Sequence, residues 1–281
     1  MENSLNPVGS KGQIPSLPKS VFITGANGFI GKALAERYRA LGCDVRGMDM
    51  LSDESQNIVA GNITQAETWA KHAKNCELFI HTAAVVSLAA DWDLYREVSI
   101  NGTRNALDVA IESGAKRFVH FSSIAAMGVD YFQGADEKSS VVVGEAYRYG
   151  VTKGASEHVV LAAHAAGEIN CTIIRPADVY GPGSRAWLLE PLKMARIGQF
   201  ILPDQGEGRF TPVYIEDLLD GVMLAAGLDE GLGQIFILAG EKSVSCHEFF
   251  SYHWAWAGRT KKIPSFPLKA TLVLTQALSK I

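Results

Sequence analysis

The turn TGANGFIG, at residues 24–31, constrains the fold more than any other stretch of this sequence. It follows the short apolar run SVFIT and opens the helical pattern GKALAERYRALG. Its glycines recur at every third position, as Gly25, Gly28 and Gly31. One glycine permits a tight turn, one lets the backbone approach a pyrophosphate, and one lets the helix pack closely on the strand. Because a helix N-terminus also offers N–H groups and a partial positive charge, the turn predicts a dinucleotide-binding site.

Strands and helices alternate from Ser20 to Pro176. Short apolar runs that are typical of strands lie at residues 20–24, 44–50, 56–62, 77–84, 116–123 and 170–176. Helical spacing of apolar residues lies between them, at 31–42, 67–75, 94–114 and 145–167. Strands that are apolar throughout predict a parallel sheet covered by helices on both faces. About six such strands predict an α/β fold with a Rossmann-type doubly wound sheet, which binds ligands at the C-terminal ends of its strands.

Changes in composition along the chain predict three regions. Residues 1–19 are rich in Gly, Pro and Ser and are expected to form a flexible leader. Residues 20–180 are expected to form the dinucleotide-binding domain and to contain the catalytic residues. After Tyr180 the alternation ends, so residues 181–281 predict a smaller, mixed lobe that mainly binds substrate. The chain of such a protein can cross back between its two lobes.

Charge and hydrophobicity exclude several classes of protein. The net charge is −4 and the charges are scattered, which argues against nucleic-acid binding. No apolar run is long enough to span a membrane, and none precedes Ser20, so neither a membrane-spanning helix nor a secretory signal is expected. The four cysteines lie far apart without a CxxC pair, which favours reduced thiols and a cytoplasmic protein. No grouping of histidines predicts a metal site.

Asp49 ends the second predicted strand and follows the glycine turn. A carboxylate at this position can accept hydrogen bonds from the ribose hydroxyls of an adenosine and repels a 2′-phosphate. No Arg or Lys follows it in the stretch DMLSDES, so NAD is favoured over NADP. A solvated aspartate at a strand end is the simpler alternative.

The stretch YGVTK, at residues 149–153, places a tyrosine and a lysine one helical turn apart. Residues i and i+4 share a helix face, so Tyr149 and Lys153 can share a site. A free phenol has a pKa of about 10, and a nearby ammonium favours the phenolate and lowers that pKa, which suits a general acid/base. The same spacing also occurs on ordinary helix surfaces. Ser123, at the end of the fifth predicted strand, can hydrogen-bond a substrate oxygen and orient it.

Together with these motifs, the chain from Ser20 onward resembles the extended short-chain dehydrogenases/reductases of the NAD-dependent epimerase/dehydratase superfamily. The segments that match in order and spacing are TGANGFIG, HTAA (81–84), INGTRN (100–105), FSS (121–123), YGVTK, RPADVYGPG (175–183) and VYIEDLLDG (213–221). The resemblance implies NAD as the cofactor and Tyr149 as the general acid/base. It also implies that Lys153 holds the nicotinamide ribose and that Ser123 holds the substrate oxygen.

The same resemblance implies a set of cofactor contacts. They comprise Gly25, Gly28, Phe29, Ile30, Gly31, Asp49, Asn62, Ile63, Ala83, Tyr149, Lys153, Pro176 and Val179. The sequence departs from the family at two places. Asn62 replaces an aspartate that contacts adenine, and its amide oxygen can still accept that hydrogen bond. Ser99 stands where the family favours asparagine, so the role of that amide is not carried over.

The segments near the predicted site favour a simple dehydrogenase or reductase of the 3β-hydroxysteroid dehydrogenase-like branch. Ser123 is followed by Ile124 and Ala125 rather than by the Asp-Glu pair of the sugar dehydratases. Segments 83–92 and 183–192 are largely apolar, which suits a bulky, sterol-like alcohol or ketone better than a diphosphate. We therefore expect NAD(H)-dependent hydride transfer to or from a secondary alcohol or ketone.

Two other functions stay open. Arg185 and Arg209 could bind the phosphates of a nucleotide sugar and so support a 4-epimerase, although Asp178 stands where epimerases often use an asparagine to hold such a phosphate. A non-catalytic, regulatory NAD-binding protein is the third possibility. Many members of the family form homodimers through a four-helix interface, to which helices 94–113 and 147–166 would contribute.

Overall fold

A computed structural model of the protein describes residues 15–87, 90–129, 134–144 and 147–270. Most of the leader predicted at residues 1–19 lies outside these ranges, and so does the apolar end of the chain from residue 271. Of the leader, Ser16 is described, and its N–H and hydroxyl groups both donate to the carbonyl of Gly227, at 3.0 and 2.9 Å.

The chain divides into two compact units. The first contains the described residues up to Arg175 together with Leu219–Ile237. The second contains Pro176–Leu218 and the described residues from Leu238 onward. The chain therefore passes from one unit to the other more than once, and the first passage follows Arg175 rather than Tyr180.

The strands are short and belong to one large sheet and several small ones. Their bounds are β1 Ser20–Thr24, β2 Asp44–Asp49, β3 Ile58–Ala60, β4 Leu78–His81, β5 Arg117–Phe121, β6 Cys171–Pro176, β7 Asp178–Tyr180, β8 Leu202–Pro203, β9 Arg209–Phe210, β10 Pro212–Tyr214, β11 Ile235–Leu238, β12 Val244–Ser245 and β13 Ser265–Phe266. Within the described residues the large sheet has seven strands, in the order β11-β6-β5-β4-β1-β2-β3. All pairs from β3 to β6 are parallel. Strands β1, β2 and β3 follow one another toward one edge of the sheet, and β4, β5 and β6 follow one another toward the other edge. This order confirms the predicted Rossmann-type doubly wound α/β fold.

The helices follow the strands in the predicted alternation. Their bounds are α1 Phe29–Ala40, α2 Trp92–Tyr95, α3 Gly102–Glu112, α4 Arg148–Ala165, α5 Glu190–Ile197, α6 Ile215–Gly227 and α7 Cys246–Trp256. A π-helical turn, Arg96–Asn101, joins α2 to α3, so the long helix predicted at 94–114 contains one wide turn. A second π-helical turn leads into α5 and spans Arg185–Leu189. Short 3₁₀ turns lie at Glu54–Gln56, Ala66–Thr68, Ala70–Ala73, Ile124–Met127, Asp204–Gly206 and Asp229–Gly231.

Aromatic side chains fill the core beside the central strands. Strands β1, β4 and β5 are buried along their whole length. The ring centroids of Phe22 and Phe79 lie 5.2 Å apart, and those of Phe79 and Phe118 lie 5.5 Å apart. Burying a side chain of this size contributes about 1.5–3 kcal/mol. This packing holds the C-terminal ends of the three strands, which carry the candidate site.

Residues 67–75 differ from the predicted helix. They form two 3₁₀ turns with Trp69 between them. Trp69 is 1% exposed, stacks on Phe22 at 5.8 Å, and donates its indole N–H to the carbonyl of Asn62 at 3.0 Å. Because a short isolated helix is only marginally stable, the tertiary contacts of this one side chain decide the local conformation.

The second unit is built from strand pairs of two or three residues and from helices. Strand β7 pairs with β10 and β8 with β13 in parallel, whereas β9 and β12 are antiparallel. Its small core contains Leu202, Phe210 and Phe250, with the ring of Trp187 packed on Phe210 at 4.8 Å. In the part of the chain that the structure describes, no helix has the length and apolar character needed to cross a membrane.

Candidate active site

The turn between β1 and α1 leaves no room for side chains at its glycines. Gly25 has a φ of +72°, and a Cβ atom there would lie 2.8 Å from Oγ1 of Thr82. A Cβ atom on Gly31 would lie 2.2 Å from the carbonyl oxygen of Gly25. Gly28 is the N-cap of α1, and no side chain of the described residues caps this end of the helix. The bare backbone of the turn therefore fits the close approach of a pyrophosphate.

Phe29 and Ile30 begin α1 and are half-buried. Their N–H groups have no carbonyl four residues earlier within the helix, because the helix begins at Phe29. Such N–H groups and the helix dipole favour a bound anion. The contact of Phe29 and Ile30 with the cofactor stays a prediction.

The carboxylate of Asp49 ties the glycine turn to the end of β2. One of its oxygens accepts the N–H of Asn27 at 2.9 Å, and the other accepts the N–H of Met50 at 2.7 Å. The side chain of Asn27 also donates to the carbonyl of Leu51 at 2.7 Å. Since each carboxylate oxygen has two lone pairs, Asp49 retains acceptor capacity for ribose hydroxyls.

Asn62 lies beside Asp49, at the end of the neighbouring strand. The N–H of Gly61 donates to the carbonyl of Asp49 at 2.8 Å, which joins the two strand ends. The amide oxygen of Asn62 accepts the N–H of Thr64 at 3.0 Å. This oxygen is therefore engaged in a local turn, and its second lone pair could accept a hydrogen bond from an adenine.

Ile63 and Ala83 contact different elements of the first unit. Ile63 is 4% exposed and packs under α3, where a Cβ atom on Gly102 would lie 2.9 Å from its Cγ2 atom. Ala83 follows β4, and its N–H lies 3.4 Å from Oγ1 of Thr24. A Cβ atom on Gly25 would lie 2.9 Å from the Ala83 nitrogen, so Ala83 forms one wall of the glycine turn.

Ser123 and Tyr149 are brought together by a close approach of α4 to the turn after β5. Ser123 is the N-cap of the 3₁₀ turn Ile124–Met127, and its hydroxyl oxygen accepts the N–H of Ala125 at 3.1 Å. The Ser123 hydroxyl is near enough to the Tyr149 hydroxyl to lower the pKa of that phenol. A Cβ atom on Gly150 would lie 2.3 Å from the carbonyl oxygen of Ala125, so the glycine after Tyr149 permits this contact.

The Tyr149 hydroxyl is harder to ionise than the sequence predicts. Burial raises its pKa to about 12, because a buried phenolate loses the water that would stabilise its charge. The nearby Ser123 hydroxyl lowers the pKa, but its effect is smaller than that of burial. The expected lowering by Lys153 is therefore wrong as a net effect in this structure. Nζ of Lys153 lies 6.0 Å from the centre of the Tyr149 ring and donates to the carbonyl of Phe121 at 2.7 Å.

Lys153 is itself buried, with 5% of its surface exposed. Burial lowers the pKa of its ammonium group to about 8, while Glu157 acts in the opposite direction. The lysine is therefore mostly charged at neutral pH and loses its charge at mildly alkaline pH. Among the three predicted catalytic groups, it has the pKa nearest to the working range of an enzyme.

A layer of buried polar groups, which includes Thr24, His81 and His120, runs across the neighbouring strands β1, β4 and β5. The side chain of His81 is hydrogen-bonded at both ring nitrogens, to Oγ1 of Thr24 at 2.7 Å and to Oγ1 of Thr103 at 3.2 Å. Burial lowers its pKa to about 3, so it is a neutral core histidine. His120 stacks on it at 5.5 Å and bonds Oγ of Ser156 at 2.9 Å. The described residues contain no grouping of side chains that could hold a metal ion.

Two buried polar atoms near this layer have no hydrogen-bond partner among the described residues, Oγ of Ser99 and Nδ1 of His120. Ser99 lies in the π-helical turn, and its carbonyl accepts the hydroxyl of Thr103 at 2.8 Å. The serine therefore contributes its backbone to the polar layer, where the asparagine of the family would add an amide.

Sequence reasoning missed two charged residues in this region. Glu157 and Arg175 form an ion pair in which each side chain is 2% exposed. Glu157 also accepts the hydroxyl of Ser122, the residue before Ser123. Glu157 lies four residues after Lys153, just as Lys153 lies four residues after Tyr149. This repeat of the i,i+4 interval is the sequence signal that could have identified Glu157.

Pro176 and Val179 belong to the second unit. Pro176 is the last residue of β6, and Val179 is the buried middle residue of β7, which pairs with β10. Their contact with the nicotinamide stays a prediction. The other residues of the predicted site all lie in the first unit.

The sequence of this chain matches a known family and known relatives. The pattern of the NAD dependent epimerase/dehydratase family matches residues 21–239. The UDP-glucose 4-epimerase of Vibrio cholerae is 28% identical over 243 residues, which cover 83% of this chain and 74% of that relative. The 3 beta-hydroxysteroid dehydrogenase/Delta 5-->4-isomerase of Mycobacterium tuberculosis is 28% identical over 247 residues, which cover 82% of this chain and 67% of that relative.

Solved structures resemble the fold. The epimerase Mth375 from Methanothermobacter thermautotrophicus has a TM-score of 0.81 at 23% identity, covering 89% of this chain and 80% of that one. MoeE5, solved in complex with UDP-glucose and NAD, has a TM-score of 0.76 at 22% identity, covering 88% and 85%. At this level of identity the likeness shows a shared fold.

Proposed function

Because the chain belongs to the NAD-dependent epimerase/dehydratase family, whose members act on CH–OH groups with NAD, we propose that it transfers hydride between NAD(H) and a secondary alcohol or ketone. We assign the catalytic roles to Ser123, Tyr149 and Lys153. The observation that supports this most directly is the close approach of α4 to the Ser123 turn at Gly150, with Lys153 buried one helical turn after Tyr149.

Each of the three residues has a separate task in the proposed reaction. NAD, when bound, accepts or supplies the hydride at its nicotinamide ring. Tyr149 takes the proton of the substrate hydroxyl during oxidation and returns it during reduction. Ser123 donates a hydrogen bond to the substrate oxygen and so orients the reacting carbon. The Lys153 ammonium stabilises the phenolate of Tyr149 and binds the ribose hydroxyls next to the nicotinamide.

We propose a bulky, apolar, sterol-like substrate. Three exposed valines lie on loops that adjoin elements of the candidate site in the chain: Val86 after β4, Val129 after the Ser123 turn, and Val143 before α4. Their exposed fractions are 76%, 69% and 84%. The N–H of Val142 donates to the carbonyl of Ala126 at 2.7 Å, which holds the Val143 loop against the Ser123 turn. Covering such side chains with an apolar ligand is favourable.

A nucleotide-sugar 4-epimerase is the second candidate, because one relative is a UDP-glucose 4-epimerase. Two observations weigh against it. The carboxyl of Asp178 is half-buried and accepts the N–H of Thr211 at 3.1 Å, and a carboxylate in this segment would repel a diphosphate. Arg185, one of the predicted phosphate ligands, is paired with Glu190 at 3.2 Å.

A substrate screen distinguishes the two candidates. The protein is mixed with NAD⁺ and with hydroxysteroids, aliphatic secondary alcohols of increasing size, or UDP-glucose. We expect NADH to accumulate with the apolar alcohols, with a higher kcat/KM for the bulkier ones, and no change with UDP-glucose. Conversion of UDP-glucose to UDP-galactose without net NADH, together with no turnover of the alcohols, would establish the epimerase instead.

Asp49 should set the cofactor preference. In Asp49→Asn the carboxylate charge is removed, while the amide oxygen can still accept a backbone N–H. The loss of like-charge repulsion should raise the ratio of kcat/KM for NADPH to that for NADH by about tenfold or more, which corresponds to at least about 1.4 kcal/mol. The ratio is measured with both reduced cofactors and one ketone. Asp53→Asn, at a half-buried bridge a few residues later, is the matched control and should leave the ratio unchanged.

The pH dependence of ketone reduction should report Lys153. Tyr149 is protonated throughout the range below its pKa of about 12, so the proton donor is always available. The Lys153 ammonium is present below its pKa of about 8 and is lost above it. We therefore expect kcat/KM to be level below about pH 8 and to fall by about tenfold per pH unit above it. Lys153→Arg keeps its charge, so any activity that remains in this variant should not fall above pH ~8. A wild-type kcat/KM that stays level up to about pH 9.5 would contradict the assignment of Lys153.

We also propose that the protein is cytoplasmic and acts as a homodimer through α3 and α4. The free state of all four cysteines is compatible with a reducing compartment. Helix α4 has small residues at several positions, which would permit close packing of helices between subunits.

A further inference from the structure

The ion pair between Glu157 and Arg175 includes the residue one helical turn after the proposed catalytic lysine and has no task in the reaction described so far. Nε of Arg175 donates to one oxygen of Glu157 at 2.8 Å, and Nη2 donates to the other at 2.7 Å. Both side chains are 2% exposed. This is the two-point geometry that a guanidinium and a carboxylate form when both are held in place.

The pair connects the elements that carry the proposed catalytic groups. Glu157 lies one turn after Lys153 on the buried face of α4 and accepts the hydroxyl of Ser122, next to Ser123. Arg175 lies at the end of β6 and donates to the carbonyl of Glu137 at 3.4 Å. Glu137 belongs to the loop before α4, and its carboxylate accepts the backbone N–H of Ile237 in β11 at 2.9 Å.

Stability alone is a weak reason for such a pair. Removing two charges from water is costly, and apolar residues of similar volume often stabilise a core equally well or better. The position of the pair therefore calls for another role. A charge one helical turn from a buried lysine acts on that lysine through a medium that screens poorly.

The charged and titratable groups around Lys153 leave Glu157 as its counter-ion. On α4 they are Tyr149, which is protonated, and Glu157 itself. On β4 and β5 they are His81 and His120, whose pKa values are lowered by burial, so both are neutral. On β6 the charged group is Arg175. Its guanidinium pairs with Glu157 and so weakens the effect of the Glu157 carboxylate on Lys153.

We propose that Glu157 is a positioning residue that keeps Lys153 charged, and that Arg175 limits how strongly it does so. The proposal rests on the assignment of Lys153 to hydride transfer. The pair acts through Lys153 and does not touch the substrate. It sets the pH at which the lysine ammonium is lost, while the hydrogen bond to Ser122 holds the end of β5 in register with α4.

Glu157→Gln removes the counter-ion and leaves the Arg175 cation next to the lysine. The titration of Lys153 should therefore move to lower pH by about one unit, and the alkaline fall of kcat/KM should move with it. Arg175→Lys keeps a positive charge but cannot form two parallel hydrogen bonds. Glu157 is then less neutralised, so the titration should move to higher pH. Loss of a merely structural contact would not shift the two variants in opposite directions.

The double variant Glu157→Gln/Arg175→Met removes both charges. It should recover about half or more of the downward shift, because the uncompensated cation is gone. Glu168→Gln is the matched control, since it removes one carboxylate from an exposed ion pair with Arg104, just beyond the end of α4. This control should leave the titration of Lys153 unchanged.

The titration is followed directly by NMR of ¹³C-lysine-labelled protein, with the Lys153 signal identified by its absence from Lys153→Met. This measurement needs no substrate, so it tests the ion pair even if the proposed hydride transfer fails its own test. If Glu157→Gln does not fold, Arg175→Lys gives the result of opposite sign. The proposal is overturned if Glu157→Gln titrates like wild type, or if Arg175→Lys shifts the titration downward or leaves it in place.

Discussion

Tyr149→Phe should lower the turnover number by about 10²–10⁴-fold, which is the contribution of a positioned general acid/base. The variant removes one hydroxyl and keeps the ring, so the packing of α4 on the Ser123 turn is retained. The affinity for NADH should stay close to that of wild type, because the proposed ribose ligand Lys153 is unchanged. Turnover is measured by NADH absorbance with the best substrate of the screen, and affinity by NADH fluorescence.

Tyr147→Phe is the matched control for this prediction. Tyr147 lies two residues earlier, and its ring meets that of Tyr149 edge-on at 6.3 Å. No lysine lies one helical turn after it, because position 151 is a valine. Tyr147→Phe should keep most of the turnover. If the loss were seen in Tyr147→Phe and not in Tyr149→Phe, the assignment of the proton donor would be wrong.

Gly31→Ala should weaken NADH binding at least about 100-fold. The new methyl group would lie 2.2 Å from the carbonyl oxygen of Gly25, so the glycine turn or the helix must move by about 1 Å. A displacement of that size at a binding site can cost about two orders of magnitude. Overpacking should also lower the free energy of unfolding by about 1–3 kcal/mol. Fluorescence titration with NADH and urea unfolding measure the two effects.

Gly42→Ala separates packing from backbone strain. Gly42 follows the other end of α1 and has a φ of +85°, but no atom lies within 4 Å of where its Cβ would be. The substitution should cost roughly 1–2 kcal/mol of stability through the left-handed backbone and leave NADH affinity unchanged. Equal loss of affinity in both variants would mean that general destabilisation, and not the geometry of the turn, reduces binding.

The sequence predicts the sheet well because the signals that define it are local. Apolar strands separated by helices, as at β1, β4 and β5, leave few possible topologies once a glycine turn opens the first helix. Trp69 shows where this reasoning ends. Its segment has helical spacing, but the partners that decide its conformation, Phe22 and Asn62, lie on other elements. No pattern within residues 67–75 reports those contacts.

The candidate site is predictable in its members and not in its electrostatics. The ends of neighbouring parallel strands meet at one edge of the sheet, so Ser123 and Tyr149 could be expected to approach each other. The pKa of Tyr149 depends on how completely the site is buried, which spacing does not reveal. Arg175 is paired with Glu157 across a strand and a helix, and the i,i+4 interval gives no indication that a residue of β6 completes the pair.

The π-helical turn Arg96–Asn101 limits how homologues of this chain can differ in length at this point. An α-helix advances about 100° per residue, so one surplus residue rotates everything that precedes it about the helix axis. Tyr95, which reaches the carbonyl of Ser87 at 2.6 Å, and Gly102, which packs on Ile63, depend on that rotation to face inward together. A homologue that lacks the surplus residue would have to rebuild one of these two contacts. A single-residue gap at this point in an alignment would therefore separate lineages that differ in the packing of Tyr95 or of Gly102, even if every catalytic side chain were the same.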